Sequence, residues 1–395
     1  MDTLLSLAGI DTSAPAAVRR PVLTLAFGPA AGTSGGIGDA LGEIGGAGEG
    51  LAAAGSALGI GLGGGVDPWQ RSVTAVVVES GLAPFVDVAD VSLSADTQAP
   101  PVAVGDEGSI SLGYEDVPPV TVFSGAVQSI RRDLRGTTRF SVTNGGATLA
   151  RLRVMQSYEQ QSAGEIIDDV VGRAGVGVDS IESGSDFPFF VLDDRQGAYA
   201  HLATLARRCG FAVSFTPDGK VRVGPPGGGD PVQTLTYGAD VLALSLTDAT
   251  PTVQTVTTLG DGAAGSHGQD AWSWLIKNPA PVTGTAGDGD PARSFPDPAL
   301  RSQDAAQRAA AGIATEAGYL AVSGEVLTPG APTVTPGAVI EIAGAPHEAM
   351  NGQFLVHRVR HIYAKRKGFT TRIAFTKLGS GASGFDPLAA LGGLL

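Results

Sequence analysis

The sequence predicts an α+β protein that is mainly β, in which two β-rich parts, at about residues 20–160 and 225–378, lie on either side of a small helical element. Three observations predict this class. Glycine (58 residues) and proline (25 residues) are abundant, and both favour many short strands separated by turns over long helices. Apolar and polar residues alternate over short stretches in both β-rich parts. Three further stretches carry the apolar stripe of an amphipathic helix.

The composition is that of a folded protein with more than one domain. A length of 395 residues suits two or three domains, and 43 % hydrophobic with 16 % charged residues provides enough apolar material for their cores. With a net charge of −13, the sequence provides no footprint for a polyanion, so binding of a polyanion is not expected. The single cysteine, Cys209, excludes an intrachain disulfide and a cysteine-based zinc site within one chain.

Neither a secretion signal nor a membrane-spanning helix is expected. Residues 1–10 are apolar, but they contain Asp2 and lack the basic residues with which a signal peptide begins. The sequence contains no unbroken run of about 18 apolar residues. We therefore expect no stable membrane insertion, and a chain without disulfides is compatible with assembly in the bacterial cytoplasm.

The first β domain is predicted at residues 21–160, after a loose N-terminal arm at residues 1–20. From Ser72 onward, alternating apolar residues predict short strands in a small antiparallel barrel or sandwich. Pro118 and Pro119 are predicted to interrupt these strands, because proline cannot donate a hydrogen bond to a neighbouring strand.

Two segments are biased in composition. Residues 28–67 form an insertion in the first domain that is dominated by glycine and alanine. We interpret it either as a long loop with a weak helix packed against a partner or as a disordered insertion. Residues 379–395, which are rich in glycine and then apolar, are predicted to be a flexible C-terminal tail, and we interpret it either as a disordered end or as a short docking segment.

The helical element is predicted at residues 161–224, and its first helix at residues 162–174. Ser162 and Glu165 have the spacing of a capping box, in which the serine accepts from a free backbone N–H and the glutamate accepts from the serine N–H. The apolar residues that follow at helical spacing form one stripe, which predicts a buried face.

A second helix is predicted at residues 194–209. Asp193 or Asp194 is expected to cap its first turn, and Gly210 is expected to take the left-handed conformation that ends many helices. A β-hairpin is predicted directly after it, because alternating apolar residues flank a turn of proline, aspartate and glycine.

The second β domain is predicted at residues 225–378. It contains a third helix at residues 302–317, for which Ser302 or Asp304 is the expected cap and Gly318 the expected end. Four short apolar stretches after this helix predict strands.

No residue is predicted to be catalytic or to bind a cofactor or a metal. His357 and His361 have the spacing of a zinc-binding helix, but Arg358 replaces the general-base glutamate and the segment favours a strand, so we interpret both as surface histidines. Residues 59–64 fit the glycine pattern of a dinucleotide-binding loop only by letter, because no strand precedes them. Residues 11–13 resemble an aspartic protease loop, but the sequence has no second copy.

Four arginines, Arg131, Arg132, Arg135 and Arg139, form a cluster. We favour the solvated face of a hairpin, or one half of an ion-pair network with a neighbouring subunit, over a phosphate-binding patch.

Four stretches together resemble a known family, the late control protein D proteins of phages. Residues 122–127, followed by residues 139–142, are similar to a strand of that family and its partner. Residues 160–171 resemble its short helix that contains an Ile-Ile pair. Residues 193–215 resemble its most recognisable stretch, a helix that runs directly into a strand with alternating phenylalanine and valine. Residues 305–342 resemble a later helix, a strand and a Pro-Gly turn.

The resemblance covers about residues 70–378 and implies a structural baseplate hub. Members are similar to the N-terminal hub part of type VI secretion VgrG spike proteins, and they form homotrimers in which each chain carries two tube-like antiparallel β-barrel domains. The implied partners are the hexameric tail tube, a spike and other baseplate subunits of a phage virion tail or a contractile injection system. DNA or an effector passes through the lumen without specific binding. The chain has no needle after residue 379, which implies a spike on a separate polypeptide.

The sequence favours a protein that is not an enzyme, since no catalytic pair is apparent. The alternative is a β-rich module of a tail particle that binds a receptor or a carbohydrate. Trp272 and Trp274 are the only hint of such a surface, and we interpret them as anchors buried under a long loop.

Overall fold

A computed structural model of the chain describes residues 19–29, 68–95, 99–260 and 282–378. Apart from a few border positions, the predicted N-terminal arm, the insertion at residues 28–67 and the C-terminal tail lie outside the described residues, as do Trp272 and Trp274. The described residues form twenty strands and five α-helices. The predicted class, mainly β with a minority of helix, is confirmed.

The first β-rich part is a half-sheet of six strands that curves around an apolar core. Its strands are β1 (Pro21–Gly28), β2 (Val73–Gly81), β3 (Val88–Leu93), β4 (Glu107–Tyr114), β5 (Val117–Arg132) and β6 (Thr138–Thr143), and α1 (Pro68–Ser72) precedes β2. Their order across the sheet is β1-β4-β5-β6-β3-β2. Inward-facing residues of all six strands form one core, which Trp69 of α1 joins.

A helical element with its own core follows. It comprises α2 (Gly145–Arg151), β7 (Gln156–Ser162), α3 (Ala163–Arg173), β8 (Val178–Ile181), β9 (Asp186–Leu192), α4 (Ala198–Arg208), β10 (Ala212–Phe215) and β11 (Val221–Gly224). The strands form two small sheets, β7-β9 and β10-β11-β8. The buried faces of α3 and α4 pack against these strands, and together they form the largest apolar core of the described residues.

The second β-rich part is another half-sheet of six strands around a second core. Its strands are β12 (Gln233–Thr236), β13 (Ala243–Asp248), β17 (Val322–Pro329), β18 (Val339–Ala343), β19 (Gly352–Ala364) and β20 (Gly368–Lys377). Between β13 and β17 the chain forms a small unit of three strands and a helix, namely β14 (Thr255–Gly260), β15 (Val282–Ala286), β16 (Ala292–Pro296) and α5 (Gln303–Ala321). A short 3-10 helix, Glu348–Met350, precedes β19.

The two half-sheets have the same topology. The second half-sheet has the order β12-β18-β19-β20-β17-β13. When the strands of each half are numbered in chain order, both halves have the order 1-4-5-6-3-2, and they differ only in that β12 runs parallel to β18 whereas β1 runs antiparallel to β4. The chain therefore contains two structural copies of one half-sheet, with a helical element between them.

The predicted pair of closed barrels is not confirmed. The described strands of both halves form one twelve-stranded sheet that does not close on itself. The reason is that β2, the last strand of the first half, uses its outer edge to pair with β19 of the second half. Hydrogen bonds that would close a barrel within one domain are thereby used to join two domains.

The three predicted helices are confirmed as α3, α4 and α5, with two corrections at their ends. Ser162 and Glu165 form the predicted capping box, and Gly210 has a φ of +72°. The N-cap of α4 is Gly197, not Asp193 or Asp194, and Asp193 instead accepts a hydrogen bond from the backbone N–H of Arg195.

Helix α5 starts at the predicted serine cap but does not stop at Gly318. Ser302 accepts from the N–H of Ala305, and the helix continues to Ala321 because Gly318 is buried within its last turns. In the part of the chain that the structure describes, no helix has the length and apolar character needed to cross a lipid bilayer.

Candidate functional site

The pairing of β2 with β19 joins the two half-sheets and is the central feature of the molecule. Residues 75–81 run antiparallel to residues 358–364. Val76 and Val78 of β2 have no exposed surface, because β19 covers their edge of the first core. On the opposite face, Glu79 forms an ion pair with Arg360 across the junction, with 3.1 Å between carboxylate and guanidinium.

The loop at residues 82–87, which connects β2 to β3, attaches the first half-sheet to the second. The backbone N–H of Leu82 donates to the carbonyl of His357 at 2.9 Å. The guanidinium of Arg358 lies over the ring of Phe85, 4.3 Å from its centre, which is a favourable cation–π distance. Both contacts are made at the bulge of β19, since His357 is its unpaired residue and Arg358 is the next residue that pairs with β20.

The same loop also attaches the first half-sheet to the helical element. The N–H of Ala83 donates to the carbonyl of Val213 in β10 at 2.8 Å. The hydroxyl of Tyr199 in α4 donates to the carbonyl of Phe85 at 3.0 Å. This short loop of the first half-sheet therefore contacts both the second half-sheet and the helical element.

Asp87 ends this loop and is almost completely buried, with 2 % of its surface exposed. Its carboxylate accepts from the N–H of Gly81 at 2.9 Å and from the side-chain amide of Asn144 at 3.0 Å. Since Asn144 donates to Asp87, its amide oxygen is free to accept from the N–H of Gly146, and so to cap α2. Burial raises the pKa of Asp87 to about 7, although both hydrogen bonds oppose this change.

A cavity of about 10 Å³ lies where the half-sheets and the helical element meet. This volume is about that of one water molecule, so the cavity is too small for a larger ligand. Asp87 and His361 are among its lining residues. His361 is 3 % exposed, and its Nδ1 lies 2.9 Å from the hydroxyl of Thr371, with which it shares a hydrogen bond. Burial lowers the pKa of His361 to about 4.

The interpretation as a surface histidine is therefore wrong for His361, whereas His357 is partly buried. Both lie on β19, where His361 faces the core and His357 shares a hydrogen bond of 2.9 Å with Thr376 on β20. Within residues 19–29, 68–95, 99–260 and 282–378, no three His, Cys, Asp or Glu side chains come together in a way that would hold a metal ion.

The arginine cluster lies where it was predicted, on the hairpin of β5 and β6. Arg131 and Arg132 end β5, Arg135 lies in the turn, and Arg139 lies on β6; all four are exposed. The guanidinium of Arg132 donates to the carbonyl of Val102 at 3.1 Å. The other two segments considered for chemistry, residues 11–13 and 59–64, lie outside the described residues.

Sequence analysis did not identify Asp87 or the loop that contains it. Its partner Asn144 is 57 residues away in the chain, and Val213 and Tyr199 are farther still. The only local signal was an acidic residue between apolar stretches that form β2 and β3, which is also typical of an exposed turn.

The chain has the fold of phage tail proteins. The 43 kDa tail protein of prophage MuSo2 from Shewanella oneidensis superposes with a TM-score of 0.59 over 77 % of this chain and 93 % of its own, at 13 % identity. A tail protein from Neisseria meningitidis MC58 gives 0.60 over 78 % and 94 %, also at 13 % identity. An E. coli component of the type VI secretion system, itself similar to bacteriophage T4 tail proteins, gives 0.53 over 78 % and 74 %, at 11 % identity.

No family model and no curated protein matches the sequence. The likeness to these solved structures covers about three quarters of the chain and is one of fold. As a similarity of fold, the resemblance to tail and type VI secretion proteins that four short stretches predicted is confirmed.

Proposed function

We propose that the chain is a structural baseplate hub of a contractile phage tail or a phage-tail-like injection system. The observation that carries this proposal is the duplicated half-sheet, within a fold shared with tail proteins from two bacteria. The proposed role is mechanical: the hub joins the tail tube to the spike, and no bond is made or broken by the chain itself.

The duplication supports a homotrimer as the working assembly. A hexameric tube presents six equivalent positions at its end, whereas a trimeric spike presents three. Three copies of a chain with two half-sheets of equal topology supply six similar units to the tube while keeping threefold symmetry toward the spike. The small unit of β14–β16 and α5 occurs in only one half of each chain, so it marks three of the six positions.

The junction at residues 82–87 suits such a role because it resists relative movement of the two halves. Backbone hydrogen bonds, the Glu79–Arg360 ion pair and a continuous sheet connect them. A force that acts on one half is therefore transmitted to the other through the hydrogen bonds between β2 and β19.

The proposed partners are the tail tube protein, a spike and other baseplate subunits. Assembly takes place in the bacterial cytoplasm, and DNA or an effector passes through the lumen without specific binding.

Electron microscopy of particles from the producing cells tests this function. The chain carries an affinity tag in an exposed loop, such as the turn at Gly229, and particles are purified from its native cells. We expect tube-and-sheath particles with the label at the baseplate end of the tube, and none from cells with the untagged chain. A tagged chain that is recovered in full as a soluble protein with no particle would contradict the proposal.

A further inference from the structure

We propose that neighbouring copies of this chain join edge to edge, with β13 of one copy pairing antiparallel with the C-terminal half of β5 of the next. This interface repeats the β2–β19 junction inside each chain, because β13 and β5 are the duplicates of β2 and β19. The inference rests on the trimeric hub proposed above, and it adds the strands and the register through which the subunits bind.

A shared irregularity aligns β5 with β19. The pairing of β5 with β6 has a bulge between Val127 and Ser129, and the pairing of β19 with β20 has one between Val356 and Arg358. The two bulges occupy the same place in the two topologies. Aligning them places Ser129 at the position of Arg358 and Arg131 at the position of Arg360.

A shared turn supports this alignment independently. Just before β4, the N–H of Gly105 donates to the carbonyl of Val127 at 2.9 Å; just before β18, the N–H of Gly337 donates to the carbonyl of Val356 at 2.8 Å. Both glycines have positive φ, +94° and +84°, a conformation that side chains disfavour. The two halves therefore agree in residue register, beyond the order of their strands.

The neighbouring strands align β2 with β13. Asp90 of β3 and Glu325 of β17 occupy equivalent positions. Asp90 pairs with Ser141 of β6, which pairs with Ser129 on its other side. Glu325 pairs with Ala374 of β20, which pairs with Arg358 on its other side. Asp90 lies opposite Val77, and Glu325 lies opposite Ser245. Two residues further along, Thr247 therefore takes the position of Glu79. The copied register pairs Thr247 of one subunit with Arg131 of the next.

Both edges are unpaired within the part of the chain that the structure describes. Strand β13 pairs with β17 alone. On the side of β5 that faces β4, the last backbone hydrogen bonds are at Val127, so β6 is the only described strand that pairs with residues 128–132. An edge strand presents a row of N–H and C=O groups that pair readily with another strand.

The apolar residues at these two edges are more exposed than the equivalent residues in the β2–β19 junction. In the junction inside the chain, Val76, Val78 and Val359 are buried, with at most 1 % of their surface exposed. Their equivalents, Leu244, Leu246 and Ile130, each contact the core of their own half but are only partly buried. Pairing of the edges would cover these side chains as β19 covers β2.

The charges at the two edges are complementary. The exposed arginine cluster lies on the β5–β6 hairpin, and none of its four members forms an ion pair with a described carboxylate. The last residue of β13 is the exposed Asp248, which the copied register places opposite Ile130 and diagonal to Arg132. Diagonal neighbours in a sheet are about 7–8 Å apart, within reach of an arginine side chain.

The contact is of the head-to-tail kind. Each copy offers one β13 edge and one β5 edge, which are different surfaces, so the contacts continue from copy to copy until a ring closes. Closure after three copies gives a ring of six half-sheets, in which junctions within a chain alternate with junctions between chains.

Cysteine cross-linking in the full-length chain tests the register. Arg131→Cys and Thr247→Cys are introduced together; both positions are exposed, and the native Cys209 is buried. Residues directly opposite in an antiparallel pair have Cβ atoms about 4.5–5.5 Å apart, close enough for a disulfide after a small adjustment. We expect oxidation to produce covalent dimers and trimers on a non-reducing gel, which dithiothreitol converts to monomers.

The matched control is Arg132→Cys with Thr247→Cys. A shift of one residue moves the thiol to the other face of the sheet, so we expect at least a tenfold lower yield of cross-linked chains. Equal yields from both pairs would overturn the register. A protein that light scattering shows to be trimeric, but that does not cross-link through Arg131→Cys and Thr247→Cys, would overturn this interface and leave the hub proposal standing. A protein that remains a monomer and does not cross-link would contradict both.

Discussion

Asp87 and His361 line the same cavity, and burial shifts their pKa values in opposite directions. Burial favours the neutral form of each group, which raises the pKa of the carboxyl group and lowers that of the imidazole. In the fold, Asp87 holds its proton between about pH 4 and pH 7, where the unfolded chain has lost it. Its contribution to the free energy of unfolding therefore falls as the pH rises through this range. The contribution of His361 falls as the pH drops from about 6.5 to about 4.

The substitution Asp87→Asn removes one of these opposing effects. Asparagine does not titrate, so the contribution of His361 is no longer opposed, and the free energy of unfolding should rise with pH more steeply than in the wild type. The difference in the free energy of unfolding between the variant and the wild type should change by up to about 3 kcal/mol between about pH 5 and pH 7. This follows from about 1.4 kcal/mol per pKa unit. Urea unfolding followed by circular dichroism at several pH values measures it; parallel curves for the two proteins would contradict the prediction.

The substitution His361→Gln should have the opposite effect. Glutamine retains a group that can hydrogen-bond to Thr371 but does not titrate, so the variant should lose less stability than the wild type as the pH falls from about 6.5 to about 5. The exposed His347→Gln is the matched control, and its unfolding profile should follow that of the wild type. If His361→Gln and the wild type respond equally to acid, the buried histidine is not the cause.

Sequence analysis predicted little at the scale of single residues. The capping box at Ser162 could be predicted because both of its members lie within four residues. Burial of His361 could not, since it depends on β2 and β20, which lie on either side of β19 in the sheet. Polar residues whose environment is built by distant strands carry no local signal.

Among the elements, helices α4 and α5 approach each other most closely at two glycines. A Cβ atom added to Gly312 in α5 would lie 2.6 Å from the Cα atom of Gly210, at the end of α4. The ion pair between Arg208 of α4 and Asp297, with 2.6 Å between its charged groups, also connects the helical element to the small unit. The close approach holds the small unit of β14–β16 and α5 against the helical element.

The substitution Gly312→Ala should therefore destabilise the protein, although alanine is the better helix former. The added methyl group must separate the helices, which should lower the free energy of unfolding by about 1–3 kcal/mol. Gly172→Ala in α3 is the matched control: nothing lies within 4 Å of the added Cβ atom, and helix propensity alone should stabilise the protein by up to about 1 kcal/mol. Chemical denaturation of both variants tests the contrast, and a loss of stability that is equal in both would refute it.

Most helices and strands could be predicted from sequence, because their signals are periodic and local. The predicted break at Pro118 and Pro119 was wrong for a physical reason. At these two prolines β5 pairs with β4 alone, since its pairing with β6 begins only at Ala126. At a bulge in β5, Pro118 and Pro119 together stand opposite the single residue Gly113 of β4, and this irregularity accommodates the missing N–H groups. A strand with one free edge tolerates proline where a central strand does not.

At the scale of the whole molecule, the continuous sheet should give a graded pattern of hydrogen exchange. Amide groups of β2 and β19 lie at the centre of the sheet and should exchange slowest, while those of β13 and residues 128–132 should exchange faster. Formation of the proposed trimer should slow exchange in β13 and residues 128–132. Mass spectrometry at a low and a high protein concentration measures this change, with sheet β10-β11-β8 as the internal reference. Unchanged exchange in β13 upon trimer formation would speak against the proposed pairing.

The duplication was implied by the family resemblance alone, because comparison of the two halves of this sequence does not reveal it. The halves retain a few identical residues at equivalent positions, such as Gly105 and Gly337 or Arg139 and Arg372. The rest of each strand has diverged, and 73 residues separate β13 from β17, whereas only a short loop separates β2 from β3. Conserved topology with diverged side chains is visible only once the strands are paired.

Fusion of two half-sheets into one chain also has a kinetic consequence for assembly. A ring of six separate units needs five association events, and each event loses about 4–15 kcal/mol of translational and rotational freedom. Three fused pairs need only two such events, because every β2–β19 junction forms as the chain folds, at the high effective concentration of a tethered partner. Fewer encounters mean fewer partial rings, so the proposed hub should close at lower subunit concentration than a ring of unlinked half-sheets.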